Sequence, residues 1–345
     1  MRNNIETVLV TGAAGFIGAA TSKKLLKEGI NVIGIDDLND YYCVNLKKNR
    51  LKEIDKISKI SGNKWEFYKN GIEDFDILNS IFKNNKLDVV INLAAQAGVR
   101  HSIKNPFAFV KSNLNGFTNI LELCREYKIN NLIFASSSSV YGGNRKLPYS
   151  ENDPVNHPLS LYGATKRSNE LIAHTYSHIF GIPTIGLRFF TVYGPWGRPD
   201  MAPMLFANAI LHNEPIQVFN YGKMERDFTF IDDIVEAIFK CCFKPATPNN
   251  NFDYLNPDPS SSFAPYRLFN IGNSRPIKLL NFIEILEKEI GKKAVKNFKP
   301  MVKGDVKGTK AECSLLSEWI QFSPETSIER GVEYFIKWYR DYYSI

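Results

Sequence analysis

A glycine-rich loop between a short apolar strand and a helix is the feature that most constrains the fold of this chain. The strand is Val8-Leu9-Val10, and the loop Gly12-Ala13-Ala14-Gly15-Phe16-Ile17-Gly18 follows at once. Residues 20–28 have helical character, and residues 32–35 form a buried-type strand that ends at Asp36. Strand, turn, helix and strand in this order predict a βαβ unit, and therefore a parallel sheet.

The spacing of Gly12, Gly15 and Gly18 indicates what this unit binds. Glycines let the backbone approach a pyrophosphate at a helix N-terminus, where free N–H groups and the helix dipole favour negative charge. Asp36 stands where a carboxylate would bind the adenosine ribose hydroxyls and repel a 2′-phosphate. The sequence therefore predicts NAD rather than NADP as the cofactor. The alternative, a structural tight turn, would not need the acid.

Apolar runs alternate with helical segments along the rest of the chain. Strands are predicted near 66–69, 88–93, 132–135 and 182–190, and helices near 74–84, 106–127 and 161–180. The polar segment 41–62 predicts an exposed helix whose lysines face solvent. We therefore predict an α/β fold, a Rossmann-type doubly wound parallel sheet with a smaller C-terminal α/β substrate domain.

Composition suggests the domain boundaries. Proline and glycine become frequent after residue 190, where we expect substrate-side structure to begin. The prediction is an NAD-binding domain over 1–190, with 225–271 returning to it, and a substrate-binding domain over 191–224 and 272–345. The segment 244–265, rich in proline, asparagine and serine, predicts a long mobile surface loop.

Candidate catalytic groups lie on one predicted helix and at the end of the strand before it. Tyr162 and Lys166 stand at i and i+4, so phenol and ammonium share a helix face. The positive charge is expected to draw the tyrosine pKa from about 10 towards neutrality, where it can exchange a proton with an alcohol. Ser137, Ser138 and Ser139 offer hydroxyls that help to transfer this proton. Chance spacing of the pair and polar capping of the strand end are the alternatives.

Composition also excludes several classes of function. The net charge of +7, from 43 basic and 36 acidic residues, shows no block of like charge, so no nucleic-acid partner is expected. Five cysteines without a Cys-x-x-Cys pair argue against disulfides or zinc and for a reducing compartment. His174 and His178 have metal-ligand spacing but lack a partner cluster, so no metal is expected. Without a leader sequence or an apolar run of about 20 residues, we expect a cytoplasmic protein with no membrane partner.

Longer motifs add a family resemblance. The glycine loop, the serine run that ends in Val140-Tyr141-Gly142, and Tyr162-x-x-x-Lys166 resemble the extended short-chain dehydrogenase/reductase family that acts on nucleotide sugars. The runs AAQAGVR at 94–100, LRFFTVYGPWGRPDM at 187–201 and RDFTFIDD at 226–233 are similar to its UDP-glucuronate 4-epimerase branch. The resemblance covers nearly the whole chain.

The resemblance implies roles for individual residues. Tyr162 would be the acid/base, Lys166 would hold the ribose and lower the tyrosine pKa, and Ser137 would be the assisting hydroxyl. Positions that match the cofactor site are Gly12, Gly15, Phe16, Ile17, Gly18, Asp36, Leu93, Asn113 and Phe190. Thr191, Phe219 and Arg226 match positions around the UDP, Arg226 at its phosphates, and Gln96, Arg100 and Arg198 complete the predicted substrate set. A homodimer that pairs the helix of Tyr162 with the helix at 106–127 is also implied.

Two positions depart from the family pattern. Gly71-Ile72 stands where an Asp or Asn usually precedes the apolar residue against adenine, so a side-chain contact to the base is not expected there. Lys310 and Glu312 stand where Tyr and Asp are usual near the C-terminus, so the substrate domain is expected to differ in detail.

The resemblance implies NAD-dependent epimerisation at C4 of a UDP-sugar, UDP-glucuronate to UDP-galacturonate, through a transient 4-keto sugar. That intermediate is a β-keto acid and loses carbon dioxide readily. The protein must therefore hold the carboxylate away from the geometry of decarboxylation, a task for Arg198, with Thr191 or Arg100 as further candidates. Arg100 would otherwise be a solvated loop arginine.

Three alternatives stay open at this point. The first is an epimerase of neutral UDP-hexoses, which Arg198 disfavours. The second is a nucleotide-sugar dehydratase or decarboxylase, but a dehydratase of this family would carry an Asp-Glu pair where Ser138-Ser139 stands. The third, a non-catalytic NAD-binding sensor, has no need of Tyr162 or Lys166, and both are present.

Overall fold

The computed structural model describes residues 5–302 and 306–345. The polar start at residues 1–4, which bears on the expected absence of a leader, lies outside the described residues. The strands are, in chain order, β1 (Thr7–Thr11), β2 (Asn31–Ile35), β3 (Trp65–Tyr68), β4 (Val89–Asn92), β5 (Leu132–Ser137), β6 (Thr184–Phe189), β7 (Thr191–Tyr193), β8 (Pro215–Val218), β9 (Glu225–Arg226), β10 (Phe228–Phe230), β11 (Tyr266–Ile271), β12 (Ile277–Lys278) and β13 (Val295–Phe298).

The α-helices flank these strands and are numbered in the same way. They are α1 (Phe16–Lys27), α2 (Val44–Ser61), α3 (Phe75–Asn84), α4 (Val99–Lys104), α5 (Pro106–Phe109), α6 (Phe117–Glu126), α7 (Leu161–Phe180), α8 (Ala202–Leu211), α9 (Ile231–Cys242), α10 (Leu279–Ile290), α11 (Ser314–Ile320) and α12 (Ile328–Tyr343).

A seven-stranded sheet with the order β11-β6-β5-β4-β1-β2-β3 forms the centre of the fold. Every neighbouring pair in it is parallel. The direction of strand order reverses between β1 and β4, and in such sheets ligands bind in the crevice at the carboxyl ends of these strands. The predicted Rossmann-type doubly wound sheet is therefore confirmed.

Both faces of the sheet are buried, which explains why its strands are almost continuously apolar. Successive side chains of a strand point to opposite faces. Val8 and Val10 of β1 pack in the cluster that includes α1 and α9, whereas Leu9 packs in the cluster that includes α3 and α6. The layers fix β1 tightly and place the glycine-rich loop at the crevice.

The helix predicted over 106–127 is interrupted. Between α5 and α6, residues Val110–Gly116 form a π-helix, a form that is frequent at functional sites. It carries the buried Asn113, whose Oδ1 accepts a hydrogen bond from the Gln96 N–H at 2.8 Å and whose Nδ2 donates to Thr165 Oγ1 at 3.0 Å. The irregular turn thus holds the loop after β4 against α7.

The helix predicted within 41–62 is present as α2, but not all of its lysines face solvent. Lys47 is buried, and its Nζ donates to the Asn39 carbonyl at 2.7 Å and to Asn39 Oδ1 at 3.0 Å. Its ammonium also lies 4.7 Å from the Tyr42 ring centroid. The prediction of a solvated lysine face is wrong at this position because local acceptors replace water.

A smaller α/β part lies over the carboxyl edge of the sheet, as predicted. β8 pairs with β13 and β7 pairs with β10, both in parallel, and β9 pairs with β12 in antiparallel. Its core joins α8, α10 and α12 through side chains such as Ile210, Phe282 and Phe335. α11 packs instead in the sheet cluster, through Leu316 and Ile320. The division into 1–190 with 225–271, and 191–224 with 272–345, stays a prediction.

The segment 244–265 is not a surface loop throughout. Ser260, Ser261 and Ser262 are buried. The Ser260 carbonyl accepts from the Leu268 N–H at 2.8 Å, and Ser262 Oγ lies 2.8 Å from His174 Nε2. The surface prediction is wrong for these serines because they pack against β11 and α7.

No helix in the described part of the chain has both the length and the apolar composition needed to cross a membrane.

Candidate active site

A cavity of about 1060 Å³ lies between the carboxyl edge of the sheet and the smaller part. Ligand pockets commonly measure about 300–1,000 Å³, so this one has room for a large ligand or two. All predicted site residues except Asn113 line it. They are Gly12, Gly15, Phe16, Ile17, Gly18, Asp36, Leu93, Gln96, Arg100, Ser137, Ser138, Ser139, Tyr162, Lys166, Phe190, Thr191, Arg198, Phe219 and Arg226.

The glycine-rich loop forms one wall of the cavity. Gly12 has a φ of 67°, and its N–H donates to the Ile35 carbonyl at 2.8 Å. A Cβ at Gly12 would lie 2.8 Å from the Ala94 nitrogen, and a Cβ at Gly18 would lie 2.1 Å from the Gly12 oxygen. Among the residues that the structure describes, no side chain caps the N-terminus of α1, so its first N–H groups are available to a phosphate. This backbone suits the pyrophosphate of a dinucleotide.

Asp36 stands at the end of β2 beside this loop. It is 8% exposed, and its carboxylate accepts from the Ala14 N–H at 3.1 Å and from the Leu38 N–H at 2.9 Å. Burial raises the pKa of Asp36, although the Leu38 N–H and the charge of Lys47 oppose this shift. Because the side chain also lines the cavity, a carboxylate oriented by two amides faces the place expected for the adenosine ribose.

The position that departs from the family pattern lies in the same wall. Gly71 and Ile72 line the cavity together with Asn70 and Glu73. A Cβ at Gly71 would lie 2.4 Å from Glu73 Oε2, so the glycine leaves room for that carboxylate. Asn113 lies behind the wall, and its hydrogen bonds to the Gln96 backbone shape the loop after β4.

Tyr162 and Lys166 lie one turn apart at the start of α7. Ser160 caps the helix, since its Oγ accepts from the Gly163 N–H at 3.1 Å. Lys166 is 3% exposed, and its Nζ donates to the Ala135 carbonyl at 2.8 Å. Burial lowers the pKa of Lys166 to about 8.

The prediction that the charge of Lys166 lowers the pKa of Tyr162 is wrong. Burial raises the pKa of Tyr162, and this outweighs the hydrogen bond from Ser137 and the charge of Arg198, which lower it. Loss of water around the phenolate dominates. The ammonium of Lys166 is directed at the Ala135 carbonyl, so it does not provide the expected stabilisation.

The serine run divides its hydroxyls between two tasks. Ser136 is buried and donates to Glu170 Oε1 at 2.6 Å, beneath α7. Ser137 Oγ accepts from the Ser139 N–H at 3.2 Å and also lies within hydrogen-bond reach of Tyr162. Ser138 and Ser139 begin a 3₁₀ turn and line the cavity. The structure therefore brings Ser137 to the phenol, and polar capping alone does not describe the run.

The predicted substrate arginines occupy different surroundings. Arg198 is close enough to Tyr162 for its charge to lower the tyrosine pKa. The guanidinium carbon of Arg100 lies 4.9 Å from the Phe219 ring centroid, on an exposed side chain. Arg226 Nη1 donates to the Glu225 carbonyl at 2.9 Å. Arg198 is thus the cation nearest the candidate base in this set of three.

Sequence reasoning missed two groups that order the site. Asp200, which pairs with Arg198, and Tyr41, which donates to Asp200 Oδ2 at 2.9 Å, both line the cavity. Glu170 forms a fully buried ion pair with Arg188 of β6, at 2.8 Å. Two features of the sequence could have indicated this pair. Glu170 stands four residues after Lys166 on the same helix, and Arg188 is a charged residue inside an apolar strand.

Comparisons with known proteins show the family of the chain. The model of the NAD dependent epimerase/dehydratase family matches residues 8–254. Protein CapI of Staphylococcus aureus is 53% identical over 97% of this chain and 99% of its own length, and a probable UDP-glucuronate 4-epimerase of Rhizobium meliloti is 43% identical over 97% of each. The crystal structure of UDP-glucuronic acid 4-epimerase from Bacillus cereus, in complex with UDP-glucuronic acid and NAD, is 35% identical, with a TM-score of 0.85 over 98% of this chain and 100% of that one. The chain belongs to the NAD dependent epimerase/dehydratase family.

Proposed function

We propose that the protein interconverts UDP-glucuronate and UDP-galacturonate by NAD-dependent epimerisation at C4. The observation that carries the proposal is the position of Arg198, a partly buried cation beside Tyr162 in a cavity with a dinucleotide-type loop. A guanidinium there suits a sugar carboxylate next to the reacting carbon. Relatives named as UDP-glucuronate 4-epimerases support the same substrate.

NAD fits the residues present and, when bound, supplies an acceptor that takes hydride from C4 and returns it to the other face. Gly12, Gly15, Phe16, Ile17, Gly18, Asp36, Leu93, Lys166 and Phe190 would hold it, while Asn113, behind the cavity wall, would support the loop after β4. In its phenolate form, which the hydrogen bond from Ser137 and the charge of Arg198 favour against burial, Tyr162 takes the O4 proton and gives it back. Arg226, Thr191, Phe219 and Gln96 would hold the UDP-sugar.

Arg198 has a second task in this reaction. Oxidation at C4 places a ketone β to the C6 carboxylate, and the C5–C6 bond breaks when it aligns with the carbonyl. A bidentate guanidinium holds the carboxylate group at a fixed position relative to the sugar ring and so keeps the C5–C6 bond out of alignment with the π system of the carbonyl. We therefore assign Arg198 to carboxylate recognition and to suppression of decarboxylation.

A neutral UDP-hexose is the second candidate substrate, and one observation favours it. Asp200 already neutralises Arg198 in the cavity, so a substrate without a carboxylate meets little unpaired charge. A dehydratase is disfavoured because Ser138 and Ser139 line the cavity where an acid pair would be needed. A non-catalytic sensor is disfavoured because Tyr162 and Lys166 are both placed at the cavity wall.

Incubation of the purified protein with UDP-glucuronate alone tests the proposal. We expect UDP-galacturonate without a net oxidant, because each turnover returns the hydride, and NAD is added only to fill sites emptied in purification. UDP-glucose in a parallel incubation tests the neutral candidate. Tyr162→Phe should lose turnover by about 10²–10⁴-fold, whereas Tyr176→Phe, further along α7, should keep it. Absence of any 4-epimer from NAD-filled protein would contradict the proposed function.

We also propose a homodimer and a cytoplasmic location. Exposed apolar side chains mark the outer face of α4, α5 and α7, with Ile103 70%, Phe107 83% and Leu171 54% exposed. Such a patch suits a contact with a second copy of the chain. Light scattering measures the mass in solution and so shows whether the protein is a dimer. The five free cysteines support a reducing compartment. The two-part division of the chain at residue 190 remains part of this proposal.

A further inference from the structure

Arg50 of α2 is among the most deeply buried charges of the protein, at 1% exposed. Its Nη1 donates to the Ala14 carbonyl at 3.0 Å and to the Tyr42 hydroxyl at 2.6 Å. Its Nε and Nη2 donate to the Trp196 carbonyl at 3.1 and 2.7 Å, and Nη2 also donates to the Gly197 carbonyl at 3.2 Å. All five N–H donors of the guanidinium are therefore used.

Through these hydrogen bonds, Arg50 connects two loops that are distant in the sequence. Ala14 belongs to the glycine-rich loop, whereas Trp196 and Gly197 belong to the segment that leads directly to Arg198. Within the described residues, these acceptors are carbonyls and a phenol rather than carboxylates. Burial of a cation without an ionic partner is costly, and an apolar side chain would fill the same space at less cost. Stability alone is therefore a poor explanation for an arginine here.

The segment held by Arg50 is strained. Trp196 has a φ of 66°, which is an outlier for a bulky side chain. Its ring packs on α12, with ring centroids 5.3 Å from Trp338 and 4.9 Å from Tyr342. Strain of this kind persists only where the surroundings over-determine the conformation. The aromatic contacts fix the ring of Trp196, and Arg50 fixes its carbonyl.

We infer that Arg50 is a positioning residue for substrate recognition, which holds the carbonyls of Trp196 and Gly197 so that Arg198 faces the sugar carboxylate beside Tyr162. The inference deepens the proposed function and rests on it. Through Ala14 the same guanidinium ties the substrate segment to the loop that would hold NAD. Arg50 touches neither ligand in this assignment and acts through the backbone.

Arg50→Lys tests the inference, because lysine keeps the charge but cannot reproduce the planar five-donor fork. Amide hydrogen exchange over residues 194–200 should be at least about tenfold faster in this variant, with α12 unchanged. Calorimetry should show the preference for UDP-glucuronate over UDP-glucose reduced about fivefold or more. Arg125→Lys, a change of an exposed arginine paired with Glu122, is the matched control and should alter neither readout.

Product analysis adds a readout that a structural role would not move. When the carboxylate is poorly held, the 4-keto intermediate loses C6 as carbon dioxide. The C5 electron pair is then protonated, and the hydride stays on NADH. The decarboxylated fraction should rise about tenfold in Arg50→Lys. If that variant does not fold, Trp196→Ala, which removes the ring contacts while keeping the carbonyl, should produce the same shift.

The outcomes separate the two proposals. A wild-type protein that does not prefer UDP-glucuronate contradicts the proposed function, while hydrogen exchange still reports on Arg50. Unchanged exchange in Arg50→Lys overturns the inference. Faster exchange with an unchanged substrate preference and product ratio overturns it as well, because Arg50 would then hold the segment without serving the carboxylate. If Trp196→Ala has to stand in, an unchanged product ratio is the overturning result.

Discussion

The guanidinium of Arg198 is bound by both carboxylate oxygens of Asp200. Nη2 lies 2.6 Å from Oδ2 and Nε lies 3.1 Å from Oδ1, and the Arg198 side chain is 23% exposed. Burial acts to raise the pKa of Asp200, but Arg198 and the Tyr41 hydroxyl hold it below its usual value. Asp200 is therefore ionised at neutral pH, and Arg198 is already paired with it before a substrate binds.

Asp200→Asn should tighten the binding of UDP-glucuronate. A substrate carboxylate at Arg198 would share the guanidinium with Asp200, and two carboxylates that share one site repel each other. We expect the dissociation constant for UDP-glucuronate to fall about 5–10-fold, equivalent to about 1 kcal/mol, with no change for UDP-glucose. Calorimetry on wild type, Asp200→Asn and the exposed-site control Asp76→Asn measures this. Equal tightening for both nucleotides would show that the effect is not carboxylate recognition.

Arg198→Ala should change the product and not only the rate. Without the guanidinium, the carboxylate group of the 4-keto sugar is no longer held in position relative to the ring, and the C5–C6 bond can align with the π system of the carbonyl. We expect a decarboxylated 4-keto pentose and a matching amount of NADH, measured by chromatography and absorbance. Arg198→Lys, which keeps a point charge without the fork, should give an intermediate ratio. A variant that epimerises at the native rate without extra decarboxylation would rule out the clamp.

Glu170→Gln should destabilise the protein strongly. Glu170 accepts from Arg188 through both oxygens, at 2.8 and 3.0 Å, and also from Ser136 and Arg167. Removal of one partner leaves a buried guanidinium uncompensated, which costs about 3–5 kcal/mol. Urea unfolding measures the loss, and Glu122→Gln, an exposed pair with Arg125 on α6, should cost under about 1 kcal/mol. Similar losses for the two variants would mean that burial of the Glu170 pair is unimportant.

Much of the fold follows from local pattern in the sequence. The strand that ends at Thr11, the helix that begins at Phe16 and the acid at Asp36 form one short unit, so their relationship is visible without tertiary structure. The same holds for Tyr162 and Lys166, which share a helix face by spacing alone. These features are short-range, and burial on both faces of the sheet reinforces them.

The remaining features depend on distant contacts. Arg50 meets a carbonyl 146 residues away, and Tyr41 meets Asp200 159 residues away, so no local pattern reports them. The π-helical turn at Asn113 and the burial of Lys47 likewise depend on neighbours from other elements. The Tyr162 pKa was mispredicted for the same reason, because sequence gives the charge of Lys166 but not the desolvation that opposes it.

The contribution of Lys166 to the stability of the folded protein is expected to change with pH. Its pKa in the folded protein is lowered by burial from 10.5 to about 8. Between these values the unfolded chain binds more protons than the folded one, so this group makes the protein more stable as pH rises through that window. Below pH 8 the cost of the buried ammonium is present in full, about 3 kcal/mol for a shift of this size.

Lys166→Met removes that titration. In NAD-free protein, its stability relative to wild type should be most favourable near pH 7 and should decline as pH rises towards 10.5. The lost hydrogen bond to the Ala135 carbonyl costs about 1–3 kcal/mol at every pH, so the slope with pH carries the information and the absolute difference does not. Thermal unfolding of both proteins across this range measures it, with the exposed Lys59→Met as control. A difference that stays constant with pH would mean that Lys166 titrates at its ordinary value, and the ammonium would then be better solvated than its burial indicates.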